Sequence, residues 1–213
     1  LGYKTAHGPA IGPNGPTPER TNFTEVILVD RLREALARIN PELPREAVQA
    51  AITTITRPEG GTLVEENRRF HAFLTDGVPV EYAGADGRPT HGLAKLFEFD
   101  SDKLHLNDWL AVNQFSVAEK LSGKPHPDYR PDVVVFVNGL PLAVIELKNP
   151  KDTQATLRKA YGQLDTYKRQ MPDLFVWNEL LVVSDGQEAK LGTISADWER
   201  FARWKTIYGD ELA

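Results

Sequence analysis

Asp132, Glu146 and Lys148 are the side chains whose types and spacing best suit a hydrolytic reaction in this chain. They lie in the stretch from Asp128 to Lys148, DYRPDVVVFVNGLPLAVIELK. Val133 to Val137 is β-branched and aromatic, which favours a strand. Asn138-Gly139 accepts the positive φ angles of a tight turn, and Pro141 to Leu147 reads as the returning strand. Pro141 cannot donate to the ladder, so the turn can be longer than two residues. Pairing of the two runs carries Asp132 onto Glu146. Strand alternation puts Glu146 and Lys148 on one face, and Ile145 and Leu147 on the other. Two close carboxylates repel unless a cation lies between them or one pKa rises. A hard divalent ion with oxygen ligands meets that need, and Mg²⁺ usually takes only one or two protein carboxylates. Such an ion polarises a phosphoryl oxygen and acidifies a water. Lys148 can orient or deprotonate that water and offset transition-state charge. The expected chemistry is metal-assisted hydrolysis of a phosphodiester.

A plain surface ion pair between Glu146 and Lys148 is the competing reading. A second acidic-x-Lys triplet, Glu188-Ala189-Lys190, follows Pro172-Asp173 with similar spacing. Context argues against it. Its apolar run, Leu180 to Val183, precedes the turn Asp185-Gly186, and Asp173 opens no strand.

Pro131-Asp132 followed by Glu146-Leu147-Lys148 resembles the PD-(D/E)xK nuclease superfamily. The wording RPDVVVFVNGLPLAVIELKNP is similar to one branch, the N-terminal nuclease region of type I restriction enzyme motor (R) subunits. Further on, Thr153 to Gln170 reads as a helix capped by Thr153 or Asp152, with Ala160, Leu164 and Tyr167 on one face. Gln163 and Tyr167 stand one turn apart on it, and such a pair can bind a phosphate oxygen or a metal-bound water. This Gln-x-x-x-Tyr pattern resembles the motif of RecB-like nucleases and of the type I branch. Tyr167 could otherwise serve simply as a core residue.

The resemblance implies an α/β fold, a central mixed β-sheet flanked by helices. It implies Mg²⁺-dependent endonucleolytic cleavage of double-stranded DNA, with Asp132 and Glu146 as metal ligands and Lys148 as the catalytic lysine. Gln163 and Tyr167 would support substrate or site geometry. It also implies modification and specificity subunits as partners. An ATP-driven motor is expected to follow the nuclease region, and no Walker-type phosphate loop occurs here, so ATP is expected only for that absent part. The chain thus reads as the nuclease fragment of a larger subunit. Relatives of this kind carry an earlier helix with an assisting glutamate, which this chain lacks apart from a last turn. Glu66 is a candidate accessory carboxylate if its helix packs beside the sheet, whereas Glu65 reads as a cap. An exonuclease or resolvase of the same superfamily, or a catalytically silent DNA-binding module, are the alternatives.

The wider chain fits this outline. Hydrophobic residues make up 41% and charged residues 26%, as in ordinary soluble domains. Cysteine is absent, so disulfides and thiolate zinc sites are excluded. No run approaches a membrane span, no signal peptide is visible, and a cytoplasmic protein is expected. The formal net charge is −5, which on its own disfavours nucleic acid. Its distribution points the other way. Lys148, Lys151, Arg158, Lys159, Lys168 and Arg169 face only Asp152 and Asp165 within one segment directly after the candidate site.

Residues 1–20, with four glycines and four prolines, read as an irregular arm. Residues 21–213 read as a single domain, helical over 21–76 and with the catalytic sheet and helices over 77–213. Helices are expected over Thr24 to Ile39, Arg45 to Thr56, Thr62 to Leu74 and Asp197 to Ile207. Strands are expected over Val78 to Tyr82, Leu93 to Phe99, Trp109 to Val117, Leu180 to Ser184 and Ala189 to Ile194. Asp128 is a second candidate carboxylate in the loop Ser122 to Arg130, and His126 reads as a solvated loop residue. Trp198, Phe201 and Trp204 read as core rather than as DNA-stacking groups.

Overall fold

A computed structural model describes residues 2–84, 86–119, 124, 129–149 and 156–205. Its centre is a seven-stranded mixed sheet in the order β1-β4-β5-β6-β7-β8-β9. The strands are β1 (Lys4–His7), β4 (Trp109–Asn113), β5 (Val133–Val137), β6 (Leu140–Leu147), β7 (Leu180–Ser184), β8 (Ala189–Gly192) and β9 (Ala202–Arg203). A separate hairpin is formed by β2 (Val78–Ala83) and β3 (Pro89–Ala94). The helices are α1 (Gly8–Ile11), α2 (Val29–Ile39), α3 (Arg45–Thr56), α4 (Leu63–Asp76) and α5 (Leu157–Gln170). This is the α/β architecture that the sequence implies, a mixed sheet flanked by helices.

The β5–β6 hairpin is the axis of the sheet. Val134, Phe136 and Val144 are fully buried on one face, as alternation of apolar residues demands. Asn138 takes φ 54° and Gly139 φ 78° in the turn. Asn138 is fully buried and works as a hub. Its amide donates to Leu96 O and Asn107 Oδ1, and its Oδ1 accepts from Asp108 N at 2.7 Å. Gly139 O accepts from Leu28 N at 2.9 Å, which docks the start of α2 onto the turn. The register shifts between Val135 and Phe136, which leaves Leu142 as an extra residue in the ladder.

A helical crossover joins β6 to β7, which run parallel. Its helix α5 packs on both strands through Ala160, Leu164 and Tyr167, all fully buried. Thr156 caps it, accepting from Lys159 N. The caps expected from sequence, Asp152 and Thr153, lie outside the described residues, as do His126 and Asp128.

Five expectations are corrected. Residues 1–20 are not an irregular arm throughout, because β1 adds to the sheet parallel to β4 and α1 follows it. Four residues are too few to show a period, and their partner strand lies far along the chain. Helix α2 starts at Val29 rather than Thr24, since Leu28 N is committed to Gly139 O. The strand expected over Leu93 to Phe99 is shifted to Pro89–Ala94, where Lys95 N turns away to Asn40 Oδ1. Among the described residues, the helix expected from Asp197 does not form. Trp198–Arg200 is one turn of 3₁₀ helix and Ala202–Arg203 pairs with β8. The strand from Trp109 also stops early, at Asn113, because Gln114 adopts φ 57°.

Candidate active site

The hairpin register Val133↔Ile145 places Asp132 level with Glu146 at one end of the sheet. Asp132 is tied there from both sides. Its Oδ2 accepts from Leu147 N at 2.8 Å, and its carbonyl accepts from Gln114 N at 3.1 Å. On the far side, Glu146 pairs with Val183 of β7, and Lys148 N donates to Ser184 O at 2.8 Å. The parallel ladder therefore extends past Leu147 and fixes the backbone that carries the lysine.

Glu146 is 2% exposed. Its Oε1 accepts from Lys148 Nζ at 3.0 Å, while its Oε2 is buried with no hydrogen-bond partner. Lys148 Nζ also donates to Gln163 Oε1 at 2.7 Å. Gln163 Nε2 donates to the Tyr167 hydroxyl at 2.5 Å, and that hydroxyl donates to Arg130 O at 3.4 Å. One chain of hydrogen bonds thus runs from the buried glutamate through lysine, glutamine and tyrosine to the backbone just before Pro131. Five of the six side chains named from sequence as site residues meet here: Asp132, Glu146, Lys148, Gln163 and Tyr167.

The electrostatics follow from burial. Burial pushes the Glu146 carboxyl up to about 7, the Asp132 charge adds to this, and the Lys148 ammonium opposes it. Burial, then the Glu146 charge, also holds the Tyr167 hydroxyl well above its ordinary range, against the Gln163 bond. Tyr167 therefore stays protonated and serves as a donor.

The donor set suits a hard divalent cation. Asp132 and Glu146 offer oxygens only, and the buried Glu146 Oε2 lacks the partner that a buried polar atom normally has. Among the described residues, no group of three or more His, Asp or Glu side chains is arranged to hold a metal. Two carboxylates with water and substrate completing the shell is a common arrangement for Mg²⁺.

Glu66, the sixth, lies elsewhere. Its Oε1 accepts from Glu59 N at 2.9 Å and Gly61 N at 3.1 Å, and Oε2 lies 3.5 Å from Arg69 Nε. It fastens the loop before α4, and none of these partners belongs to the acidic cluster. Glu65 completes a capping box with Thr62, as their spacing suggests. The rival triplet does not assemble either. Glu188 pairs with Arg203, and Lys190 lies over the Trp198 ring. Sequence reasoning missed the Arg130 carbonyl, which carries no side-chain signal because it is a backbone atom.

The seven-stranded mixed sheet flanked by helices is consistent with a nuclease-like core. Comparison with known proteins narrows the class. The chain belongs to the family described as type I restriction enzyme R protein N terminus, whose model matches residues 1–200. It is 38% identical over 207 residues to the type I restriction enzyme HindI endonuclease subunit of Haemophilus influenzae, covering 97% of this chain and 19% of that protein. It is 33% identical over 211 residues to a Methanocaldococcus jannaschii protein named "Putative type I restriction enzyme MjaIXP endonuclease subunit", covering 99% of this chain and 20% of that one. The chain therefore spans about a fifth of the length of these relatives.

Proposed function

We propose that this chain is the nuclease part of a type I restriction enzyme R subunit and cleaves DNA endonucleolytically in a Mg²⁺-dependent reaction. The observation that carries the reading is Glu146 Oε2, buried and unpartnered, level with Asp132 and with a lysine on its other oxygen. Asp132 and Glu146 would hold Mg²⁺, which when bound supplies polarisation of a phosphoryl oxygen and an acidified water. The remaining chemistry belongs to the chain. Lys148 places a positive charge beside the acidic pair, where it orients the attacking water and offsets charge gathering on the phosphoryl oxygens. Gln163 aims the ammonium, and the Tyr167 hydroxyl aims Gln163, so a lysine with four rotatable bonds is held in one direction. The resemblance of Pro131-Asp132 and Glu146-Leu147-Lys148 to the PD-(D/E)xK pattern supports this reading.

The names of the relatives support an endonuclease over an exonuclease. Double-stranded DNA, together with modification and specificity subunits, are the partners this reading carries, and ATP serves only a motor region outside this chain. No described helix is long and apolar enough to cross a membrane, and a cytoplasmic location goes with the reading. Supercoiled plasmid incubated with the chain tests it. Nicking is expected with Mg²⁺ and not with EDTA, and no DNA end should be needed. A wild-type chain that is inert with both Mg²⁺ and Mn²⁺ sinks the proposal. A Mn²⁺ soak should place the ion between Asp132 and Glu146.

A further inference from the structure

Two cations without acidic partners meet at one exposed-edge aromatic ring, away from the acidic pair. Arg158 Cζ lies 5.5 Å from the centroid of Trp198, and Lys190 Nζ lies 4.2 Å from it. Their charges are therefore no further apart than the sum of those distances. The neighbouring cations differ from them. Lys168 and Arg169 share Asp165, Arg200 pairs with Asp197, and Arg203 pairs with Glu188. Among the described residues neither Arg158 nor Lys190 has an ion pair. The ring face attracts each cation and leaves its N–H donors free to take an anion.

The sheet register relates this pair to the candidate active site. Lys190 pairs with Val183, and Val183 pairs with Glu146, so the three stand in one row on one face of the sheet. Two interstrand spacings put the Lys190 backbone about 10 Å from that of Glu146, with the fully buried Val183 between them. Arg158 lies in the first turn of α5, the helix that also supplies Gln163. A DNA strand rises about 3.4 Å per nucleotide, so that separation spans a few nucleotides. Trp198 is half-buried and packs against Tyr161 and Phe201, with centroids 5.7 and 6.3 Å away, so its ring is a rigid platform.

We infer that Arg158, Lys190 and Trp198 form a backbone-binding subsite for the DNA strand that enters the active site, in which the two cations each take one of two neighbouring phosphates a few nucleotides from the one being cut. The subsite rests on the nuclease reading for its substrate but carries no chemical step. It gives a function to Arg158 of α5 and to a lysine that the rival acidic-x-Lys triplet left without one.

The test is binding of a fluorescent duplex oligonucleotide by the chain in EDTA, measured by anisotropy over a salt series. Each phosphate contact removed should lower the slope of log K against log salt by about 0.9, so Arg158→Ala with Lys190→Ala should lower it by about 2. Arg158→Lys with Lys190→Arg should keep the wild-type slope. Trp198→Phe should remove the change in tryptophan fluorescence that accompanies binding. Thermal melts accompany each variant. If the double alanine variant does not fold, each single variant should lower the slope by about 0.9. An unchanged slope in folded alanine variants overturns the subsite, as does a wild type that fails to bind at low salt. Loss of cleavage by the wild type with the slopes as expected would instead remove the nuclease reading and leave the anion site standing.

Discussion

The Asp132 carboxylate accepts the backbone N–H of Leu147 at 2.8 Å, across the open end of the β5–β6 hairpin. The bond ties the first acid of the site to the strand that carries the second acid and the lysine. The separation of the two carboxylates is therefore set by ladder geometry and not by loop flexibility.

Asp132→Asn keeps an acceptor for Leu147 N and removes the charge that opposes Glu146. Metal-free stability is expected to stay level or rise slightly, and cleavage to be lost. The stabilisation that divalent metal gives by binding only the folded state should vanish as well. Melting curves with and without Mg²⁺ check this. A large loss of metal-free stability would mean that the acids serve structure alone.

Glu146 makes stability depend on pH. Its folded pKa is about 7 against an ordinary 4.5, so between those values the folded state binds more protons than the unfolded one. Its contribution is fully present below the unfolded value and is lost as pH rises through about 7. The loss is on the order of 3 kcal/mol at most, from roughly 1.4 kcal/mol per pKa unit. Denaturant titrations of the metal-free protein from pH 4 to 8 should show this decline beyond that of Glu146→Gln. Mg²⁺ should flatten it, because metal binding displaces the proton.

Lys148→Ala should abolish cleavage, since in the proposed reaction the ammonium acts on the transition state. It also strips Glu146 of the ammonium that holds its pKa down, so the decline of stability with pH should move to higher pH. Metal binding is expected to survive, measured by calorimetry. Cleavage at the wild-type rate would reassign the catalytic lysine.

Gln163→Ala should reduce cleavage with little change in melting temperature, because its bonds lead only to Lys148 and Tyr167. Tyr167→Phe deletes the hydroxyl and leaves the Gln163 amide loose, costing about 1 kcal/mol of stability and a larger share of activity. Tyr167→Ala empties a fully buried site and should cost about 3–5 kcal/mol. Urea titrations and plasmid nicking on the same preparations separate these roles.

Gly139 and Gly186 both have positive φ, at 78° and 83°. A Cβ on Gly139 would lie 2.4 Å from Leu28 O, whereas one on Gly186 meets nothing within 4 Å. Gly186→Ala should cost about 1 kcal/mol for its backbone conformation alone. Gly139→Ala should cost several times that and slow cleavage, since it forces α2 off the catalytic hairpin. Equal effects in melts would contradict the docking of α2 on that turn.

The site was legible where chemistry and local pattern coincide. An Asn-Gly turn between two apolar runs gives the hairpin, the hairpin gives the register, and the register places Asp132 by Glu146. The Gln163–Tyr167 spacing gave a shared helix face that the crossover aims at Lys148. What stayed hidden depends on distant partners. Leu28 leaves helical geometry for Gly139, and β1 exists only because β4 offers it an edge. Trp198, Phe201 and Trp204 recur at a spacing that suits a helix. Yet Phe201 packs edge-on against Tyr161, and the chain beyond it extends along β8. Glu66 carries no sign in the sequence that Glu59 and Gly61 will claim its carboxylate.

β1 bears on solubility as well as on shape. It covers the edge of β4, whose Leu110 and Val112 belong to the buried core. Without Lys4–His7, that strand would present a row of open N–H and C=O groups beside apolar side chains, a template on which another chain can assemble. Trimming the first seven residues should leave the catalytic hairpin intact and yet turn the protein towards aggregation, with light scattering rising before any cleavage is lost.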